Sequence, residues 1–186
     1  WTYNLDLVDA YLAVYPEKKE ELLYDDDFYL FTQARMEILP RTQRYVATDH
    51  GVRQYHYLKE NVDTSVPENR YLKDAAQNVV HTNLMSKMLT LTANKVAALD
   101  PYGMGVEMEG GKPGWYDALN GLPGLLGSSM AEAYEVYRMI CWEKEAVQES
   151  GRDVALLEEV AELALAVAKA CKDHVDEMEG DEQAYG

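Results

Sequence analysis

Seven side chains able to do chemistry fall close together in the chain: Glu107, Glu109, Lys112, Trp115, Tyr116, Asp117 and Asn120. Flat aromatic faces such as those of Trp115 and Tyr116 cover the apolar C–H face of a pyranose ring. Carboxylates and amides hydrogen-bond its hydroxyls, so the mixture suits a sugar. Glycosidic bonds break through an oxocarbenium-like transition state in which a protonated carboxyl group donates to the leaving oxygen. An Asp beside Trp and Tyr can be partly desolvated, and desolvation favours the neutral form that an acid catalyst needs. Asp117 is therefore the candidate acid, with Trp115, Tyr116, Asn120 and Lys112 as candidate sugar contacts and Glu109, by proximity in sequence, as the candidate base. A competing reading makes Trp115 a packed loop anchor and Asp117 a turn or cap residue. In that reading Glu107 and Glu109 are solvated loop charges and Lys112 is a plain surface charge.

These residues sit in a segment built unlike the rest of the chain. Between Asp100 and Ser128 lie eight of the twelve glycines and three of the six prolines. Helix connections usually run about 2 to 8 residues, and structureless loops beyond about 12 to 15 tend to be functional or disordered. Trp115, Tyr116, Leu119, Leu122, Leu125 and Leu126 supply apolar side chains that disordered linkers lack. A long Gly/Pro-rich functional loop is the expectation.

The segments around the loop read as helices. Leu5, Val8, Leu12 and Tyr15 recur at three- and four-residue steps, and Pro16 ends that helix and opens the next, "PEKKEELLY". From Asp25 to Asn61 the pattern is less regular: "FYLFTQARMEIL" reads as helix, Pro40 breaks it, and "VRQYHYLKE" reads as a short helix or as extended chain. A stripe of Ala76, Val80, Leu84, Met88, Leu91 and Ala98 predicts a helix from about Asp74 to Leu99, stopped by Pro101 and Gly103. After the loop, Ser129 with Glu132 makes a capping box for a helix carrying Met130, Tyr134, Tyr137 and Cys141 on one face. "ESGRD" turns the chain into a last helix, about Asp153 to Met178, striped by Leu156, Val160, Leu163, Val167 and Cys171. The last two helices are expected to pack as an antiparallel hairpin. No strand is strongly indicated, so the fold class is all-α: antiparallel helical hairpins over 1–186 as a single helical domain with one long Gly/Pro-rich loop.

Composition narrows the function. A formal charge of −16, from 33 acidic and 17 basic residues, opposes binding to nucleic acid or an anionic membrane surface. The richest apolar run, Val154 to Cys171, carries Glu158, Glu159, Glu162 and Lys169, which argues against a membrane span. The four histidines show no metal-ligand spacing, so no metal or other cofactor is expected. Cys141 and Cys171 read as buried thiols, with a disulfide between them left open. No targeting segment is visible and a cytoplasmic location is the expectation. The chain begins at Trp1 inside an apparent helix, which predicts a segment cut from a longer protein.

"KPGWYDALNGLPGLLGSSM" resembles the loop of cellobiose-phosphorylase-like enzymes, glycoside hydrolase family 94 and related proteins, in its Trp-x-Asp core with an Asn three residues on: Trp115, Asp117 and Asn120. "WTYNLDLVDAYLAVYPEK" and "VRQYHYL" also look like members of this group. The resemblance implies an (α/α)6 toroid, of which this chain would supply about half the hairpins. It implies Asp117 as general acid and Trp115 as lining of the sugar subsite. The implied substrate is a disaccharide or oligosaccharide, attacked by inorganic phosphate in a phosphorylase or by water in a hydrolase. The remainder of the parent chain would then be the protein partner. The residues themselves leave phosphorolysis and hydrolysis open, and also a non-catalytic helical scaffold or sugar-binding module.

Overall fold

The computed structural model describes residues 2–34, 36–54, 58–60, 69–100, 102–107 and 128–185. In chain order the helices are α1 (Thr2–Val14), α2 (Arg41–Arg44), α3 (Leu84–Ala97), α4 (Met130–Ser150) and α5 (Glu158–Tyr185). The strands are β1 (Tyr29–Leu30), β2 (Thr32–Ala34), β3 (Met36–Ile38), β4 (Tyr45–Thr48), β5 (Gly51–Gln54), β6 (Leu58–Glu60), β7 (Asn69–Tyr71), β8 (His81–Thr82), β9 (Val106–Glu107) and β10 (Ser128–Ser129). The described residues are mostly helical, with small antiparallel ladders added, and the chain divides into two compact units.

The first unit comprises Trp1–Asp25, Leu84–Ala98 and Val136–Gly186. On α1, Leu5 and Val8 are buried and Leu12 packs against them, as their spacing predicts, whereas Tyr15 lies beyond the helix end and is exposed. Pro16 opens a 3-10 turn (Pro16–Lys18), where its missing N–H breaks no helical bond. A π turn, Glu21–Asp25, then carries Leu23 and Tyr24 into the core. The Tyr24 hydroxyl donates to the Ala146 carbonyl at 3.2 Å, so its one polar atom is satisfied where the ring is buried. Met85 and Met88 of α3 and Met139 and Ala146 of α4 complete the core. Asp6 accepts from Arg138 (2.7 Å) and Asp9 from the Trp142 indole (3.0 Å). Both pairs step the same way along the chain, so α1 and α4 run parallel.

Several expectations change here. The stripe of Met130, Tyr134, Tyr137 and Cys141 does lie along α4, but its aromatic members face outward, Tyr137 being 68% exposed. The buried face is Val136, Met139, Glu143 and Ala146, a stripe that the glutamate conceals. Cys141 and Cys171 are both free thiols, Cys141 only partly buried and Cys171 exposed. Cys171 is exposed because α5 runs on past the part of the unit it packs against, with every residue from Lys169 to Glu177 exposed. The last helix also finds its main neighbour in α3, rather than α4. Residues 151–157 separate α4 from α5, and the Ser86 hydroxyl holds that connection by donating to the Ala155 carbonyl at 2.6 Å.

The second unit comprises Asp26–Asn83 and Leu99–Glu135. Its pairings are nested: β1 with β8, β2 with β7, β3 with β6 and β4 with β5, all antiparallel. The helix expected over "FYLFTQARMEIL" is thus replaced by strands. Phe, Tyr, Thr and Ile suit a pleated surface, and their partners come from distant positions that a local window does not contain. The helix expected from Asp74 starts ten positions later, at Leu84. Asp74 instead folds a turn, its carboxylate accepting from the Asn78 backbone N–H at 2.8 Å, with Gln77 at a φ of 68°.

The two faces of α4 give a direct test. Met139→Ala is expected to cost about 2 to 5 kcal/mol of stability in urea denaturation, as buried Met truncations do. Tyr137→Ala, on the exposed face, is expected to stay within about 0.5 kcal/mol. Equal losses would contradict the assigned face.

Candidate functional site

Asp117, Glu109, Trp115, Tyr116, Asn120 and Lys112 all lie outside the described residues. The structure does describe the base from which their segment departs and to which it returns, and that base lies within the second unit. Val106 and Glu107 of β9 pair antiparallel with Ser129 and Ser128 of β10, so the two ends of segment 108–127 are held side by side. A further bridge joins Leu99 to Val106.

Asp100 organises the approach to this ladder. Its Oδ1 accepts from the backbone N–H groups of Tyr102 (2.9 Å) and Met104 (3.1 Å), and its Oδ2 accepts from the Ser128 hydroxyl. Burial works to raise the Asp100 carboxyl, but the Ser128 hydroxyl and the backbone N–H groups around it outweigh that and hold it below the ordinary carboxylate value. The turn needs two glycines for different reasons. Gly103 sits at a φ of 66°, in open space. At Gly105 a Cβ would lie 2.7 Å from Ser128 Oγ and 3.0 Å from the Ser129 carbonyl carbon.

Glu107 is the second anchor. It is 7% exposed, which the competing reading of a solvated loop charge does not accommodate. Its Oε1 accepts from the Tyr45 hydroxyl at 2.7 Å, and its Oε2 faces Arg44 Nη1 at 3.5 Å. Arg44, at the end of α2, donates through Nε to the Leu39 carbonyl at 2.5 Å, which aims the guanidinium. On the partner strand, Ser129 Oγ accepts from the Glu132 N–H at 3.3 Å, the first half of the expected capping box. The ladder therefore runs straight into α4.

No family model, curated protein or solved structure matches this chain. Among the described residues, no three His, Cys, Asp or Glu side chains are placed to hold a metal ion. No described helix is long and apolar enough to cross a membrane. Sequence reasoning passed over Arg44, Tyr45, Asp100 and Ser128. The signal that could have found Asp100 is local: an Asp followed by Pro and Gly, the pattern of a side chain that bonds its own turn. Arg44 and Tyr45 carry no such signal, lying 63 and 62 positions from Glu107. Chemically, the base can hold residues 107 and 128 in one register, with the Glu107 carboxylate beside the Arg44 guanidinium.

The two glycines make distinct predictions. Gly103→Ala is expected to cost about 1 to 2 kcal/mol through its left-handed conformation, and Gly103→Asn to recover part of that. Gly105→Ala is expected to cost about 1 to 3 kcal/mol through overpacking, with no recovery by Asn. Thermal denaturation of the four variants checks this, and recovery by Asn at 105 would contradict the close contact with Ser128.

Proposed function

We propose that this chain is part of the catalytic domain of a carbohydrate-active enzyme that cleaves a glycosidic bond, by phosphorolysis or hydrolysis. The observation that carries the reading is the clamp under the Trp-x-Asp segment. A segment rich in glycine and proline leaves and returns through a ladder fixed by Asp100 and Glu107. Sites that carry out chemistry need such support, because reacting groups must be held to within about 0.5 Å. Asp117 would protonate the glycosidic oxygen, Trp115 would stack on the sugar, and Tyr116, Asn120 and Lys112 would bond its hydroxyls. In a phosphorylase, inorganic phosphate attacks the anomeric carbon. In an inverting hydrolase a carboxylate activates water, and Glu109 is the residue proposed for that role.

The (α/α)6 toroid belongs to the same proposal. On α1, Tyr3, Leu7 and Val14 are exposed, and Tyr134 and Tyr137 are exposed on α4. Large apolar side chains repeated along a helix face fit packing against further helices, as the other hairpins of a toroid would provide. The same faces favour a second reading, a non-catalytic helical scaffold or sugar-binding module whose aromatic loop meets a partner.

A product assay separates these. The parent protein is incubated with α- and β-linked disaccharides, with and without inorganic phosphate, and read for sugar 1-phosphate and free sugar. Product formation is expected to fall by about 10² to 10⁴ in Asp117→Asn, the usual contribution of a general acid. Undiminished turnover in that variant would remove Asp117 from the mechanism.

A further inference from the structure

In the core of the first unit two polar side chains meet across the contact between α3 and α4. Glu143 is 2% exposed, and its Oε1 accepts a hydrogen bond of 2.8 Å from the hydroxyl of Thr92, which is also buried. Its Oε2 has no hydrogen-bond partner among the described residues. Met139 and Ala146, one turn to either side on α4, and Met88, one turn before Thr92 on α3, belong to the buried apolar cluster. A carboxylate with one neutral donor in such surroundings is costly, whereas the neutral acid is tolerated.

None of the charged groups around Glu143 shifts its carboxyl. Lys87 and Lys95 on α3 are half-buried. Asp6 and Asp9 on α1 are bonded to Arg138 and Trp142, Arg152 is paired with Glu20 and Asp25, and the Tyr24 hydroxyl is given to Ala146. On α4, Lys144 and Glu145 are exposed, as are Glu158, Glu159 and Glu162 at the start of α5. Burial pushes the Glu143 carboxyl from its ordinary 4.5 up to about 7, and the Thr92 hydrogen bond opposes the rise.

We propose that Glu143 is a proton-dependent lock on the α3–α4 contact: the closed helix pair holds the carboxyl neutral, and opening the pair releases its proton to water. Because the group is raised in the closed state, its stabilising contribution is complete below about 4.5 and is lost as the pH climbs through about 7. Near neutrality a small change in pH therefore shifts the balance between closed and open helices.

The test is urea denaturation of the full chain, wild type against Glu143→Gln, at pH 5 and pH 8. Gln keeps the shape and the acceptor for Thr92 but cannot ionise, and the other carboxylates cancel in the comparison. The unfolding equilibrium constant of the wild type, relative to the variant, is expected to rise roughly 50- to 100-fold between the two pH values. A ratio constant to within about threefold would overturn the lock. Should the variant not fold, carbon NMR titration of the wild-type Glu143 carboxyl decides the matter. A midpoint near 7 supports the lock, and one below about 5.5 overturns it.

Discussion

The burial of Glu107 between Tyr45 and Arg44 is the constraint on which the site depends. A ladder of two residue pairs is far too short to hold the two ends of segment 108–127 together by its own hydrogen bonds. Closing a loop also carries an entropic cost that grows with length, by about 0.6 kcal/mol per doubling. Glu107 and Asp100 supply what the ladder lacks. Each is a carboxylate held by donors from outside the ladder or across it, and each fixes one particular register. A buried ion pair is not an efficient source of stability compared with an apolar one of the same volume. Its use here is specificity, since slipping the register by one residue would turn the Glu107 carboxylate to the opposite face.

The two buried glutamates show how environment divides the roles of one residue type. Glu107 has a phenol hydroxyl and a guanidinium against its two oxygens. Glu143 has a single threonine hydroxyl. The first is an anchor, paired with a fixed positive charge. The second is placed where the proton decides the cost. Both are flanked by tightly packed neighbours, Val106 beside the one and Met139 a turn from the other, so neither can relax toward water without local opening.

What the sequence made readable was whatever is decided locally. The buried positions Leu5 and Val8 of α1, the break at Pro16, the cap at Ser129 and the turn after Ser150 each depend on a few adjacent residues, and each is found where the pattern places it. The strands β1, β2 and β3 were hidden because each pairs with a segment 20 or more positions further along the chain, while their own residues are compatible with helix; β4 and β5 pair locally across a two-residue turn. On α4 the charge of Glu143 interrupted the buried stripe, and the outward tyrosines offered a more regular one. At the site, composition alone marked the loop as unusual. Nothing local distinguishes Glu107 from Glu109, since only Arg44 and Tyr45 make the first a buried anchor, and they arrive from a remote part of the chain.

A double-mutant cycle between Arg44 and Glu107 tests the anchor most directly. Arg44→Met, Glu107→Gln and the double variant would be compared with the wild type in chemical denaturation. A coupling energy of about 1.5 to 3 kcal/mol is expected for a charged hydrogen-bonded pair largely shielded from water. Additive losses, with coupling near zero, would mean that the pair holds nothing and that the ends of segment 108–127 are held by other means.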